Sequence, residues 1–408
     1  MSEYISGGFL EPKIRALLNN VLHKNVNVIL GGALANMYMP CGEKTVHLYH
    51  NVVAPYRLPI FNRLAESYDL TVHFAKEKEV GRKWDTNITE DFKYNFLPSL
   101  NVGPFCLLFT VPLQMIRDRP DVHLHGESHQ TLMAILSSII VTRLVGGDIV
   151  LWSEWVDTKA SKSNYHHTGL SLLVSRVTDF MYCLLRPLIY REANMLVAYS
   201  EKSYQFLRER GVPEEKIVTG HQVMPKSCLS TQQVEDTNDN KDTTTYLFIG
   251  YLERRKGLDT LLNAWTHLDC PNAELIIAGS GPERDRLEEN DNETVNWVGY
   301  VDEGKKAKLL READVFVLPT RHDPWGLVVN EALAYGTPVV TTEAAGASEL
   351  LRNSNAGCVI EPDDATALAS AMVTLKRDGT VTERLRNRVT DVSVGVRPFK
   401  QAIAKTSS

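Results

Sequence analysis

The sequence lacks three features that would each point to a particular class of protein. Its six cysteines are scattered without a C-x-x-C pair, so their spacing supports neither a zinc site nor a disulfide framework. The net charge is −6, whereas a nucleic-acid binder usually carries a basic excess. No uncharged apolar run reaches the roughly 18 residues of a membrane-spanning helix, and the first residues show no secretory signal. We therefore expect a soluble or peripheral protein in a reducing compartment.

What the sequence does contain is typical of a globular protein with two domains. The 408 residues suffice for two domains of ordinary size, and 43% of them are hydrophobic. From residue 45 onward, helical patterns alternate with short runs that are apolar throughout. In the first half of the chain these runs are residues 46–50, 69–75, 121–125, 148–152 and 193–199. The alternation predicts an α/β fold with parallel sheets that helices cover on both faces.

One interruption of this alternation sets the predicted domain boundaries. Residues 226–244 are polar with few large apolar side chains, which indicates an interdomain linker. Residues 45–225 and 245–385 would form two Rossmann-like, doubly wound domains, and their ligand cleft would lie at the carboxyl ends of the strands. Residues 1–44 are predicted to be an N-terminal extension of unknown role. Residues 386–408 would be a tail that could pack back on the N-terminal domain.

The most informative stretch is residues 318–340. An apolar strand ends there, a polar loop with Asp323 follows, and a helix is predicted from Gly326 to a stop at Gly336. The first N–H groups of such a helix lack intrahelical partners and favour an anion, so this loop could cradle a phosphate. Glu331 could then bind a hydroxylated group such as a ribose. The local pattern is equally compatible with a plain helix cap and a solvated glutamate.

Four motifs, in order along the chain, resemble those of the retaining glycosyltransferases of family 4. The strongest is Asp323, Gly326 and Glu331, in which seven residues separate the acid from the glutamate. The family usually has glutamate first, so the carboxylate of Asp323 reaches one methylene less far. The other three motifs are residues 250–257, 278–284 and 298–301. The resemblance covers the chain from residue 45, and it implies the GT-B fold, in which two Rossmann-like domains face each other across a cleft.

The resemblance also implies a donor site in the C-terminal domain. Lys256 matches the family's lysine on the donor diphosphate, and Arg255 or Arg254 would replace the arginine that is Tyr251 here. Asp323 would orient the transferred sugar, and Glu331 would bind the ribose. The further expected donor contacts are Gly250, Gly281, Tyr300, Val301, Gly326, Leu327 and Val328.

The N-terminal domain matches the family less closely. Asn51 and Arg57 lie in a first loop without the usual paired glycines, and both are candidates for contacts with donor or acceptor. Arg57 could equally be a surface charge of a helix. His125 ends a strand and is expected to face the cleft, whereas His123 is expected in the core. Glu154 lies where many members have a histidine that faces the transferred sugar. Its carboxylate could bind a sugar hydroxyl or assist the acceptor, or it could be a polar residue whose hydrogen bonds are satisfied beside two packed tryptophans.

The implied reaction is transfer of a sugar from a nucleoside-diphosphate sugar, with retention at the anomeric carbon. The acceptor would be a glycan or a lipid-linked molecule, in cell-surface glycan or glycoprotein glycan assembly. No cofactor and no divalent metal are expected, because protein cations would neutralise the leaving diphosphate. A metal site at His123, His125 and His129 is conceivable by count, but burial at a strand end explains these histidines better. No nucleic acid is expected as a partner.

Two other functions remain open, and so does contact with a membrane. The chain could be an inactive partner subunit that binds donor, or a nucleotide-sugar 2-epimerase on the same fold. Residues 168–190 are amphipathic, with Arg176, Arg186 and Arg191 on or near them. This stretch could lie on a membrane and suit a lipid-linked acceptor, or it could be a core helix with surface arginines. The expected location is the cytoplasm, on the cytoplasmic face of the membrane if the stretch binds lipid.

Overall fold

The computed structural model describes most of the chain from residue 43 onward. The described ranges are residues 43–77, 92–98, 100–102, 105–107, 110–154, 170–230, 243–289, 295–352, 354–375 and 381–406, with the backbone alone for 100–102, 105–107 and 170–179. The predicted extension lies outside these ranges except for its last two residues, and so do residues 231–242 of the predicted linker. The described residues from Lys44 onward belong to one compact unit.

The N-terminal domain is built on a parallel sheet whose strands follow the apolar runs of the sequence. In chain order the strands are β1 (Thr45–Val52), β2 (Asp69–Lys76), β3 (Lys93–Phe96), β4 (Leu100–Val102), β5 (Phe105–Leu107), β6 (Val122–Gly126), β7 (Asp148–Ser153), β8 (Met195–Ala198) and β9 (Ile217–Thr219). The described residues form a seven-stranded sheet in the order β3-β2-β1-β6-β7-β8-β9, and β4 pairs with β5 in an antiparallel hairpin. The strands predicted for this domain are confirmed as β1, β2, β6, β7 and β8.

Helices cover both faces of this sheet. They are α1 (Leu58–Ala65), α2 (Val111–Asp118), α3 (Leu132–Val145), α4 (Leu170–Glu192) and α5 (Glu201–Glu209), with 3-10 turns at Pro55–Arg57 and Glu214–Lys216. Alternate residues of β7 show the two faces: Val150 and Trp152 join one buried cluster, whereas Ile149 and Leu151 join another. Successive side chains of a strand point to opposite faces, so a strand apolar throughout needs cover on both sides.

The C-terminal domain repeats the plan with a smaller sheet. Its strands are β10 (Thr244–Ile249), β11 (Ala273–Ala278), β12 (Val295–Gly299), β13 (Val315–Leu318), β14 (Val339–Thr342) and β15 (Gly357–Ile360). Its helices are α6 (Leu258–Thr266), α7 (Arg284–Glu288), α8 (Glu303–Glu312), α9 (Leu327–Ala334) and α10 (Ala365–Thr374), with 3-10 turns at Arg254–Lys256 and Gly346–Leu350. A further turn, Lys226–Cys228, precedes the domain. The parallel order is β12-β11-β10-β13-β14-β15.

The strand order places two of the four predicted motifs at one point. β10 pairs with both β11 and β13, so the direction of winding reverses between β10 and β13. Such a reversal opens a crevice at the carboxyl ends of the strands, where ligands of open α/β sheets bind. The loops that follow β10 and β13 carry two of the predicted motifs. In the N-terminal sheet the equivalent reversal lies between β1 and β6.

The chain crosses between the two domains twice. The first crossover begins after β9 with residues 220–224, where the N–H of Met224 donates to the carbonyl oxygen of Val389 at 2.9 Å. The second lies at the end of α11 (Glu383–Thr390), which packs on the C-terminal core, and leads into α12 (Val392–Lys405). Phe399 and Ile403 of α12 are fully buried in the N-terminal core cluster. From Val392 onward the predicted tail thus packs on the N-terminal domain, whereas its first residues, 386–390, belong to α11 on the C-terminal core.

Candidate functional site

The loops that follow β10 and β13 bring Lys256 and Asp323 together. Nζ of Lys256 lies 2.5 Å from Oδ2 of Asp323, and both residues are buried. Nη1 of Arg255 lies 3.7 Å from the same oxygen. Burial acts to raise the pKa of Asp323, but Lys256 and Arg255 outweigh it and hold that pKa below its usual value. A charged carboxylate and two cations therefore share this mouth.

Backbone contacts lock these two loops against each other. A Cβ on Gly257, which has a φ of +70°, would lie 2.0 Å from the carbonyl oxygen of Pro319, so no side chain fits there. The carbonyl oxygen of Arg255 accepts from the N–H of Arg321 at 2.7 Å and from Oγ1 of Thr320 at 2.9 Å. The position of the two cations thus depends on the β13 loop.

Helix α9 starts at the same mouth. Its N-cap, Gly326, has a φ of +92°, and a Cβ there would lie 3.6 Å from Cγ of Asp323. The helix begins at Leu327, and the N–H groups of Leu327 and Val328 are among those that have no intrahelical partner. Cations, a carboxylate and a helix N-terminus therefore converge, which is an arrangement suited to a diphosphate attached to a hydroxylated group.

Glu331 is buried and paired with a lysine that the sequence motifs did not identify. Nζ of Lys306 in α8 lies 2.8 Å from Oε1 of Glu331 and 2.7 Å from Oε2 of Glu303. Burial raises the pKa of Glu331, and Lys306 offsets part of that rise. Burial acts to lower the pKa of Lys306, but Glu331 and Glu303 outweigh it and raise it to about 12. The alternative of a solvated Glu331 is wrong.

The predicted glycine positions pack against the turn after β10. A Cβ on Gly281 would lie 2.3 Å from the carbonyl oxygen of Leu252, and one on Gly250 would lie 3.2 Å from the ring of Phe248. Gly281 is therefore needed for close backbone packing, whatever it binds. Tyr300 and Val301 directly follow β12, and Tyr300 is 53% exposed. Their expected contact with the donor base stays a prediction.

In the N-terminal domain, Arg57 and Glu154 form an ion pair with each other. The guanidinium of Arg57 is buried, lying 4.1 Å from the ring centroid of Trp152 and 5.0 Å from that of Tyr199. The side chain of Glu154 is 38% exposed. The alternative that Arg57 is a surface charge is therefore wrong. Arg57 and Glu154, which were predicted as separate contacts, thus form one pair, and Glu154 is its solvent-accessible member.

The other two predicted contacts of this domain lie differently. Oδ1 of Asn51 accepts from the N–H of Val52 at 2.9 Å, at the end of β1. His125 is fully buried, and the prediction that it faces the cleft is wrong. Its Nε2 lies 2.7 Å from Oγ of Ser138 in α3, and its ring stacks on that of Tyr49 at 4.7 Å. The side chain points to the face of the sheet that α3 covers.

His125 belongs to a buried row of histidines on that face. Nε2 of His73 lies 3.0 Å from Nδ1 of His47, and both ring nitrogens of His123 are buried without a hydrogen-bond partner among the described residues. Burial lowers the pKa of His47 to about 3 and those of His73 and His123 to about 4. Within the described ranges, no three metal-binding side chains are grouped to hold an ion. The row is a neutral part of the core.

Three neighbouring helices of the N-terminal domain expose large apolar side chains. α3 contacts both α2 and α4. We name the exposed side chains on these helices the apolar helix surface: Leu113, Ile116, Ile140, Leu144, Phe180, Met181 and Leu184. Arg143 and Arg191 are also exposed there, whereas Arg186 turns inward, with its Nε 3.4 Å from Oε1 of Glu127. No helix among the described residues has the length and apolarity needed to cross a bilayer.

Comparison with known proteins places the resemblance in the C-terminal domain. Residues 243–378 match the family described as Glycosyl transferases group 1, and this region carries Lys256, Asp323 and Glu331. An uncharacterized glycosyltransferase of Methanocaldococcus jannaschii is 36% identical over 134 residues, which are 31% of this chain and 34% of that protein. The phosphatidyl-myo-inositol mannosyltransferase of Mycobacterium leprae is 36% identical over 146 residues, which are 34% of this chain and 39% of that protein.

The chain spans between about a third and a half of the length of the curated relatives it matches. A solved structure is similar over nearly the whole chain. HepE of Anabaena, in complex with UDP and glucose, superposes with a TM-score of 0.62 at 15% identity, over 89% of this chain and 100% of that one. At this identity the likeness shows the fold alone. The two parallel-sheet α/β domains have the GT-B fold.

Proposed function

We propose that this chain is a retaining glycosyltransferase of family 4, which transfers a sugar from a nucleoside-diphosphate sugar to a glycan or lipid-linked acceptor. The observation that carries the proposal is the buried pair of Lys256 and Asp323, with Arg255 beside it, at the start of α9. The match of residues 243–378 to group 1 glycosyltransferases supports it, and so does the fold shared with a protein that binds UDP and glucose.

The donor would lie with its diphosphate at the switch point of the C-terminal sheet. Lys256, Arg255 and the N–H groups of Leu327 and Val328 would neutralise the charge that grows on the leaving diphosphate. Such preorganised donors act on charge that develops in the transition state, so they lower the barrier more than they strengthen binding of the substrate. Glu331, oriented by Lys306, would accept hydrogen bonds from the ribose hydroxyls.

The sugar would lie between the two domains. Asp323 would orient it through its hydroxyls, and the exposed carboxylate of Glu154, held by Arg57, would face it or the acceptor from the N-terminal domain. In the reaction, the bond from the anomeric carbon to the diphosphate oxygen breaks. The acceptor hydroxyl forms the new bond on the same face, and its proton passes to the departing phosphate oxygen. No divalent metal is part of the proposal.

A lipid-linked acceptor would be met at the apolar helix surface. Leu144 and Phe180 are 71% and 67% exposed. Arg143 and Arg191 are exposed as well and share one carboxylate, that of Glu192, so their net positive charge would favour anionic headgroups. The printed name of the Mycobacterium leprae relative, a phosphatidyl-myo-inositol mannosyltransferase, also names a lipid. We therefore propose peripheral contact with a membrane on the side where these helices lie, and assembly of a cell-surface glycan as the setting.

The test is incubation of the purified protein with a panel of labelled nucleotide sugars and a membrane lipid extract. We expect label in an acceptor product, and its loss in Asp323→Asn and in Lys256→Ala. Donor binding without turnover on any acceptor would instead favour an inactive partner subunit. Conversion of the nucleotide sugar to its 2-epimer without transfer would favour an epimerase on the same fold. Absence of both binding and turnover would overturn the proposal.

A further inference from the structure

The two interdomain crossovers are held by one buried asparagine of the donor-binding helix. Asn330 lies in α9 directly before Glu331 and is fully buried. Its Nδ2 donates to the carbonyl oxygen of Gln222 at 3.0 Å and to that of Val389 at 3.3 Å. The N–H of Met224 also donates to the carbonyl oxygen of Val389, at 2.9 Å. Asn330 thus contacts both points at which the chain passes between the domains.

The same asparagine is tied to the loop that carries Asp323. Nε1 of Trp325 donates to Oδ1 of Asn330 at 2.7 Å. Trp325 is buried and belongs to the loop from Asp323 to Gly326. The carbonyl oxygen of Trp325 accepts from the N–H of Ala347 at 2.8 Å, in the 3-10 turn Gly346–Leu350. A change in this loop would therefore move the side chain that holds the crossovers.

Glu349, in that 3-10 turn, makes the second connection. Its Oε1 lies 2.5 Å from Nδ1 of His221 in the first crossover, and its Oε2 accepts from the N–H of Glu201 at 2.9 Å. Nη2 of Arg388, at the second crossover, lies 3.3 Å from Nε2 of His221. A guanidinium only donates, so in this contact Nε2 accepts, and Nδ1–H donates to Glu349. One carboxylate thereby joins α5, the first crossover and, through His221, the second.

We propose that Asn330 and Glu349 are positioning residues that couple the donor loop to the hinge between the domains. The loop from Asp323 to Gly326, α9 and the 3-10 turn move together, because hydrogen bonds join them to each other and to both crossovers. The conformation of the donor loop therefore sets where the N-terminal domain, with Glu154, stands relative to the bound sugar. This inference rests on the proposed function for its catalytic consequence, but the coupling itself does not require turnover.

The experiment compares Glu349→Ala and Glu349→Gln with the unaltered protein. Alanine removes both connections, whereas glutamine keeps an oxygen that can accept from His221 or Glu201. We expect Glu349→Ala to lower kcat about tenfold or more, since misplacement by about 1 Å can cost up to 100-fold, with little change in the Kd of UDP. Glu349→Gln should recover part of kcat. Glu312→Ala, which removes a surface ion pair with Lys308 at 3.7 Å, is the matched control.

Two readouts do not depend on turnover. Hydrogen exchange should become faster in residues 200–203 and 220–224 of Glu349→Ala, and small-angle scattering with and without UDP should show a broader distribution of domain separations. Asn330→Leu should produce the same changes if it folds. Wild-type kcat together with wild-type exchange in Glu349→Ala would overturn the inference. If the unaltered protein neither binds nor transfers a nucleotide sugar, the proposed function fails, and the exchange data alone decide the coupling.

Discussion

Lys256 and Asp323 lie 67 residues apart in the chain and form a buried ion pair with their nearest atoms 2.5 Å apart. The ammonium of a lysine has three N–H donors, so the contact with Asp323 leaves others to bind a phosphate oxygen. The carboxylate in turn holds the cation at the mouth of the C-terminal sheet. The pair therefore joins the stability of the two loops to the proposed binding of the donor.

Lys256→Ala should destabilise the protein as well as abolish transfer. Removing one partner of a buried pair typically costs about 3–5 kcal/mol. Here Arg255, whose Nη1 lies 3.7 Å from the same oxygen of Asp323, should offset part of that cost. Urea unfolding at pH 7 measures the free energy of unfolding, and the transfer assay measures activity. Lys308→Ala is the control, because Lys308 is 57% exposed and its ion pair is on the surface. A Lys256→Ala variant as stable and active as this control would contradict the assignment.

Glu331→Ala should weaken donor binding by about 1–3 kcal/mol, the cost of leaving polar groups unpaired. Calorimetric titration with UDP and GDP measures the effect. Glu303→Ala is the matched control: Glu303 also pairs with Lys306, but its side chain is 66% exposed, so donor affinity should hardly change. An unaltered donor affinity in Glu331→Ala would remove Glu331 from the site.

The buried histidines should make the protein unstable in acid. Because the folded pKa values of His47, His73 and His123 are depressed to about 3, 4 and 4, the unfolded chain binds more protons below pH ~6.5. Their contribution to stability is thus present above pH ~6.5 and is lost progressively as the pH falls toward 4, on the order of 1–3 kcal/mol for each group. Urea unfolding across this range measures the loss.

His123→Leu tests this origin of the acid sensitivity. Both ring nitrogens of His123 are buried without a hydrogen-bond partner in the described part of the chain, so leucine removes buried polar atoms without breaking a hydrogen bond. We expect a free energy of unfolding at pH 7 that is equal or higher, and a smaller loss between pH 6.5 and 4. An acid loss as large as that of the unaltered protein would mean that other groups cause it.

Leu144→Asp combined with Ile140→Asp should weaken binding to membranes. Both side chains belong to the apolar helix surface and are 71% and 62% exposed, so the changes should leave the core intact. Co-sedimentation with vesicles of phosphatidylglycerol and phosphatidylcholine measures the bound fraction, which we expect to fall severalfold. Val373→Asp, at a 42% exposed position of α10 in the other domain, is the control. If the double variant and the Val373→Asp control bind vesicles equally, the apolar helix surface does not contact the membrane.

Local sequence predicted strands β1, β2, β6, β7 and β8 and the loop after β13, but it did not predict the short strands β3, β4, β5 and β9. A glycine at a positive φ, such as Gly326, and an apolar run such as β13 depend mainly on residues within a few positions. The order of the strands then follows from the general rules of parallel sheets, which bring the loops after β10 and β13 to one edge. Lys256, however, was identified only through the resemblance to family 4, which also supplied the proposed roles of Asp323 and Glu331 that the local pattern had left open.

Only the tertiary structure decided which side chains meet across longer distances. Lys306 reaches Glu331 from another helix, Arg57 pairs with Glu154 across 97 residues, and His125 points into the core instead of the cleft. None of these contacts has a local signal, because each depends on how a helix packs on a sheet and on which face a strand residue lies. The hydrogen bonds from Asn330 to Gln222 and Val389 likewise have no local signal, because they form only when both domains are folded and the two crossovers lie side by side.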